Sequence, residues 1–366
     1  MTSDKVRWGI LSTAFIARKN WQAIHLSGNG VLVAVASRER SKAERFIREC
    51  QAAVPLDPPP RACDSYEALL AAPDIDAVYI PLPTGRREEW VVRAAAAGKH
   101  VVCEKPCATT AGRLRGLIAA CRQNRVQFMD GVMFRHSGRF ERMRAALHEE
   151  HVIGQIRRVT SAFSFRAPDN FFTSDIRAQP ALEPLGCLGD LGWYCVQFSL
   201  WTAGWRQPRA VAGRMLSAHA PAPGAASVPT EFSGELIFDD HLSASFLCSF
   251  LADSQQWGHV SGTRGTLRVD DFVLPYAGGQ ISFETRRENF QAAGCDFRMQ
   301  PECRKIVVAE NGNGAPDAQE VALFRNFGAQ VKSGSLNETW PAIALQTQTI
   351  IEAARSRPSA TACRWH

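Results

Sequence analysis

Hydrophobic positions in the first third of the chain alternate between two periods. Residues 6–11 form a short continuous apolar run that predicts a buried strand, whereas residues 15–26 carry their apolar positions at helical spacing. The alternation continues with strands over 31–36, 77–81, 100–103 and 126–129. Between them helices are predicted over 41–50, 65–72, 87–97 (ended by Gly98) and 110–124. Strands alternating with helices of this length specify a parallel sheet covered on both faces, the doubly wound architecture.

Beyond about Gly131 the texture changes. Strands are predicted over 157–165, 209–217, 234–239, 242–251 and 266–269, with turn chemistry at Asp239-Asp240 and from Gly262 to Gly265. A run of strands after an alternating section implies a second domain, of α+β type with a largely antiparallel open sheet. The expected division is 1–130 and 131–366, which suits a chain of 366 residues. Residues 218–229 and 311–318 read as surface loops. A closing helix over 341–356, with Pro341 in its first turn, is expected to pack back on the first domain.

Composition narrows the class. With 45% hydrophobic and 21% charged residues the chain is an ordinary globular one. The net charge of +6 comes from scattered basic residues with no long Lys/Arg run, so no nucleic-acid partner is expected, while small anions remain natural ligands. The 11 cysteines are odd in number and lack any CxxC pair. Cys103, Cys107, Cys121, Cys187, Cys195 and Cys248 sit among apolar neighbours, as free core thiols do, which favours a cytoplasmic location. No signal-peptide core precedes Trp8 and no eighteen-residue apolar run exists, so no membrane association is expected. No metal site is read from the sequence.

After the first strand comes Gly9-Ile10-Leu11-Ser12-Thr13-Ala14-Phe15-Ile16-Ala17. A dinucleotide fingerprint would place glycines at 12, 14 and 17, where this chain has Ser, Ala and Ala. All three are small, and a pyrophosphate needs mainly exposed N–H groups at a helix N-terminus. Gly9, Ser12, Thr13, Ala14, Phe15 and Ile16 are therefore candidate cofactor residues, against the plain alternative of a strand-turn-helix. The second strand ends at Ser37-Arg38, with Lys42 one turn on. Arginine there suits the 2′-phosphate of NADP, where NAD would call for an acid.

Two further segments can carry chemistry. The fifth strand runs into Cys103-Glu104-Lys105-Pro106 at the edge where ligands of such sheets lie. Gly186-Cys187-Leu188-Gly189-Asp190-Leu191-Gly192-Trp193-Tyr194 leads into a buried apolar helix, in whose first turn Asp190 and Tyr194 would share a face. Each has a bland reading: a surface lysine, a capping carboxylate, a core tyrosine.

Together these segments resemble the Gfo/Idh/MocA oxidoreductases, and the likeness extends over nearly the whole chain. It includes Ile16-Ala17-Arg18, Ala36-Ser37-Arg38, Tyr79 to Thr84, Gly98-Lys99-His100, Asp130-Gly131, Asp175-Ile176-Arg177 and Gly262 to Thr266. It is nearest to xylose- and dihydrodiol-dehydrogenase-like members. The resemblance implies a Rossmann domain binding NADP, with Leu82, Pro83, Thr84, Glu104 and Lys105 added to the cofactor set. It implies Lys105 and Tyr194 as the catalytic pair and Asp190 as the group orienting a substrate hydroxyl. His136, Arg177 and Trp193 are candidate substrate contacts. Where the family often has His after Pro83-Thr84, this chain has Arg87.

The expected function is thus hydride transfer between nicotinamide and a sugar, polyol or dihydrodiol hydroxyl. The alternative is a non-catalytic NADP-binding sensor of the same fold, which would have no need of Lys105, Asp190 and Tyr194 together. An open sheet face in the second domain would need covering, so a homodimer is the expected assembly.

Overall fold

The computed structural model describes residues 5–239 and 241–356. Asp240, half of the expected turn at 239–240, lies outside the described residues. The chain forms two compact units, each discontinuous in sequence. The first takes residues 5–136, 181–184 and 313–349, and the second the remainder.

In the first unit β1 (Val6–Leu11), α1 (Ile16–Leu26), β2 (Gly30–Ala36), α2 (Arg40–Ala53) and β3 (Arg61–Cys63) are followed by α3 (Tyr66–Ala71), β4 (Ala77–Ile80), α4 (Thr84–Ala96), β5 (His100–Cys103), α5 (Ala111–Gln123) and β6 (Phe128–Asp130). The strands pair in parallel in the order β3-β2-β1-β4-β5-β6. Strand order reverses between β1 and β4, and the carboxyl edge there is where such sheets hold ligands. Trp8, Ile10, Tyr79, Val102 and Met129 join Trp21 and Ile24 of α1 in the core.

The second unit contains α6 (Gly138–His148), β7 (Ile156–Ser164), α7 (Phe171–Ser174), α8 (Gly186–Asp190), α9 (Gly192–Thr202), β8 (Ala210–His219), β9 (Val228–Ile237), β10 (Ser243–Ser249), β11 (Gln255–Gly262), β12 (Thr266–Val269), β13 (Ile281–Ala293) and β14 (Asp296–Val308). Its eight strands run β14-β13-β12-β11-β7-β10-β9-β8, antiparallel except for β7 with β10. Helix α9 is buried at every residue and packs on β7 and β10. Gly258 admits the Phe198 ring, since a Cβ there would lie 2.4 Å from it. The opposite sheet face keeps Trp257 and His259 half-exposed. Past Arg286 the β13–β14 hairpin is exposed to its tip at Gly294-Cys295.

Two last helices are α10 (Gln319–Lys332) and α11 (Thr339–Ser356). In the first unit α10 covers the sheet, with Phe324 and Phe327 at 5.1 and 5.4 Å from the Trp8 ring. Trp340 of α11 stacks on Phe327 at 6.1 Å.

Elements outside the predicted pattern are β3, α6, α7, α8, β11, β13, β14 and α10. Strand β13 is mostly polar past Phe283, whereas β14 alternates Phe297, Met299 and Cys303 with Asp296, Arg298, Gln300 and Glu302, a period-two pattern that the prediction did not include. Strand β9 begins at Val228, inside the expected loop, which shrinks to 220–227.

Candidate active site

In the first unit the turn after β1 keeps the geometry of a dinucleotide turn without its glycines. Ser12 has φ 129°, a left-handed conformation that usually selects glycine. Its N–H donates to the Ala36 carbonyl at 3.0 Å, and its Oγ accepts from the Ala14 N–H at 3.0 Å. That internal bond stabilises the turn in place of glycine's freedom. Helix α1 begins at Ile16 with no acidic residue in its first turn, so no carboxylate competes for an anion there. Phe15 stands at its N-cap, 86% exposed. Gly9 lies deeper than a ligand contact: a Cβ would lie 2.7 Å from the Leu69 side chain, so its role is packing of α3.

At the end of β2, Ser37 is buried and Arg38 is exposed. Arg38 makes no hydrogen bond or ion pair among the described residues, whereas Lys42 is held by Glu39 at 2.6 Å and Arg40 by Glu44 at 2.9 Å. An unengaged guanidinium beside an anion-ready helix start fits the 2′-phosphate of NADP. An acid suited to a ribose hydroxyl is missing from positions 37 and 38.

Around β4 and β5 the structure corrects several expected contacts. Thr84 is buried, and both its N–H (2.9 Å) and its hydroxyl (2.5 Å) donate to Glu183, so they are engaged within the protein. Leu82 is buried and Pro83 half-buried. Glu104 is buried, accepting from the Tyr79 hydroxyl at 2.6 Å and from the Lys105 N–H at 3.2 Å. Burial, then the Glu104 carboxylate, raises the Tyr79 pKa well above its ordinary value, so the phenol stays protonated and donates. Glu104 is thus held at the strand end by Tyr79 and the Lys105 N–H. Lys105 itself is half-buried at that edge, and the Lys105–Pro106 bond is cis.

His136 packs its ring on Trp340 at 6.1 Å, and its Nδ1 meets Asn326 at 3.0 Å. Burial, reinforced by Arg135, pushes its pKa down to about 3. These are the contacts of a neutral imidazole packed within the first unit, with Nε2 left without a hydrogen-bond partner among the described residues.

In the second unit the glycine-rich segment forms two short helices, not one. Asp190 ends α8 and α9 starts at Gly192, with Leu191 between them in a right-handed helical conformation, so Asp190 and Tyr194 lie on successive short helices. The break follows from packing. Gly186 takes φ 47°, where a Cβ would meet the Pro229 carbonyl at 2.2 Å, and a Cβ on Gly192 would lie 3.0 Å from the Leu188 side chain. Tyr194 sits edge-on to Phe163 at 5.6 Å with 7% of its surface exposed. Trp193 is fully buried, because α9 is enclosed on all sides, and is a core residue rather than a substrate contact.

Arg177 is the organiser of this half. It grips Asp175 through two nitrogens at 3.0 and 3.1 Å and reaches Asp190 at 3.5 Å. Its guanidinium also lies over Phe165 and Phe171. Burial pulls its pKa down, but Asp190 and Asp175 outweigh that and leave it raised. Glu183 and Asp175 carry roles that no periodicity marks: Glu183 is an isolated acid between Leu182 and Pro184.

Comparisons with known proteins agree with this geometry. A family profile described as the Gfo/Idh/MocA oxidoreductase family, NAD-binding Rossmann fold, matches residues 6–132, and the family's C-terminal domain profile matches 140–268. The chain is 33% identical over 345 residues to D-xylose 1-dehydrogenase (NADP(+)) 2 of Haloferax volcanii, covering 92% of this chain and 99% of that one. It is 32% identical over 361 residues to dTDP-3,4-didehydro-2,6-dideoxy-alpha-D-glucose 3-reductase of Saccharopolyspora spinosa, covering 90% and 98%. Among solved structures, a 3-ketoreductase from Actinomadura kijaniata in complex with NADP and TDP-benzene has the same fold, with TM-score 0.78, 24% identity and coverage of 97% and 98%.

Proposed function

The chain belongs to the Gfo/Idh/MocA oxidoreductase family, and on that premise we propose an NADP-dependent dehydrogenase acting on the CH–OH group of a sugar, polyol or dihydrodiol. The observation that carries the cofactor choice is Arg38, unengaged at the end of β2 beside a helix start without acids. The relatives named above, a dehydrogenase and a reductase, favour the catalytic reading over a sensor.

Bound NADP supplies the hydride acceptor, or the donor in the reverse direction. The protein's task is the proton. An alcohol that loses hydride must also lose its hydroxyl proton, and Tyr194 with Lys105 is proposed to take it. A neighbouring ammonium favours a phenolate and makes that transfer easier. Asp190, held by Arg177, accepts a hydrogen bond from the substrate hydroxyl and orients it. Thr13, Ala14, Phe15 and Ile16 line the phosphate turn, and Ser37 with Arg38 takes the 2′-phosphate end.

The same reading includes a homodimer formed through the second unit's sheet. Its support is the face carrying half-exposed Trp257 and His259, continuous with exposed Phe290, Phe297 and Met299 on the hairpin. A cytoplasmic setting is supported by eight buried free cysteines among the described residues. No described helix is long and apolar enough to cross a membrane.

The test is a turnover screen with NADP⁺ against aldoses, polyols and trans-dihydrodiols, and with NADPH against keto sugars. Lys105→Ala and Tyr194→Phe are expected to bind NADPH normally and lose turnover by roughly 10²-fold, the scale of acid–base contributions. Wild-type turnover in both variants would overturn the assignment.

A further inference from the structure

Arg87 lies on the inner side of α4, 5% exposed, among the apolar residues Val91, Ala94 and Ala95 of the same helix. Its Nη1 donates to the carbonyl of Pro106 and, at 3.1 Å, to the Thr84 hydroxyl oxygen. That hydroxyl donates in turn to Glu183, at 2.5 Å, and the Thr84 N–H donates to the other Glu183 oxygen at 2.9 Å. Guanidinium, hydroxyl and carboxylate thus form one buried chain.

Residues 181–184 lie directly on the start of α4. The Gly85 N–H donates to the Leu182 carbonyl at 2.8 Å, and a Cβ on Gly85 would come within 2.4 Å of the Ala181 carbonyl. Glu183 therefore supplies a capping acceptor for α4 and is joined to Arg87 through the Thr84 hydroxyl. A buried ionic cluster of this kind is seldom a better source of stability than apolar packing of equal volume. What it delivers here is geometric: it fixes the carbonyl of the residue that follows Lys105.

We propose that Arg87 is a positioning residue for Lys105, acting through the Pro106 carbonyl and held in its turn by the Thr84 hydroxyl that Glu183 anchors. This rests on the reading of Lys105 as a proton-transfer group. Holding the Lys105–Pro106 turn from behind sets the direction in which the lysine leaves β5. Small misplacements of a catalytic group cost large factors in rate without a matching loss of binding.

The experiment is a double-mutant cycle on the full-length protein, using NADP⁺ and the fastest alcohol of the panel above. Arg87→Met is expected to lower kcat about tenfold while KM and NADPH affinity, read by fluorescence titration, stay within about twofold. Arg87→Lys should recover part of the loss. In the Lys105→Ala background Arg87→Met should cost nothing further, because the group it positions is gone. An equal loss in both backgrounds would make Arg87 merely structural and overturn the proposal. If Arg87→Met does not fold, Arg87→Gln, which is too short to keep the guanidinium's contact with the Pro106 carbonyl but leaves a polar end in the buried site, carries the same cycle. Wild-type kcat in Arg87→Met beside an impaired Lys105→Ala overturns this inference alone. Wild-type turnover in Lys105→Ala overturns the functional reading and this one with it.

Discussion

Arg177 spans two carboxylates: it pairs with Asp175 at 3.0 Å and reaches Asp190 at 3.5 Å, with its plane laid over Phe165 and Phe171. A carboxylate that orients a substrate hydroxyl is useful only if its own direction is set. Replacing Arg177 by Gln should therefore reduce kcat/KM about tenfold. Because both partners are partly exposed, the ion pairs themselves contribute little stability. Thermal melting should show Tm moving by no more than about 4 °C. A larger fall in Tm with kcat/KM unchanged would assign Arg177 to the fold instead.

Arg38→Ala should weaken NADPH binding by roughly ten- to a hundredfold, the range of a lost charge-assisted contact to phosphate. NADH affinity should change less than about twofold. Paired fluorescence titrations at fixed ionic strength read the difference directly, since salt screens an exposed guanidinium. Equal weakening of both nucleotides would remove Arg38 from the 2′-phosphate site.

Gly186 combines a positive φ with a backbone oxygen where its Cβ would stand. Neither can relax through a flexible side chain. Gly186→Ala should destabilise the protein by at least about 2 kcal/mol in denaturant unfolding, and it should displace α8, so that activity falls together with stability.

His136 gives a pH signature of stability. Its folded pKa, near 3, lies below the ordinary imidazole value of about 6.5, so the unfolded chain binds its proton first as pH falls. The neutral ring's stabilisation is complete above about pH 6.5 and is lost progressively below it, at up to about 1.4 kcal/mol per pH unit. In urea unfolding between pH 7 and 5, His136→Gln should show a shallower dependence than wild type. Identical slopes would rule out this residue as the source.

Legibility in the sequence followed burial. Strands β1, β5 and β12 appear at their predicted bounds because each is a compact apolar run closed by turn residues. Helix α10 escaped the reading although Val321, Phe324 and Phe327 repeat at helical spacing. In the hairpin, β13 is mostly polar and offers little pattern, while the alternation of β14 over 296–303 was legible and its apolar side is exposed rather than packed in the core. In the site, the motif segments pointed to Lys105, Asp190 and Tyr194, and Arg38 to the cofactor type. Pro106 and Asp175 stand in the quoted segments, but their partner roles, like Glu183 altogether, could not be found that way, because they act through hydrogen bonds that have no period.

What the sequence by itself determined is the alternation that builds a parallel sheet, the strand-rich second half and the residue types able to carry NADP-linked chemistry. These follow from local periodicity and side-chain chemistry. Tertiary structure alone decided which of those residues stay available. It turned Thr84 and Glu104 inward to Glu183 and Tyr79, sealed Trp193 inside α9's surroundings and neutralised His136 by burial. The physical reason is that a polar group's role depends on which partners remain to satisfy it once water is gone, and those partners lie far along the chain, 99 residues away for Thr84 and Glu183 and 190 for His136 and Asn326.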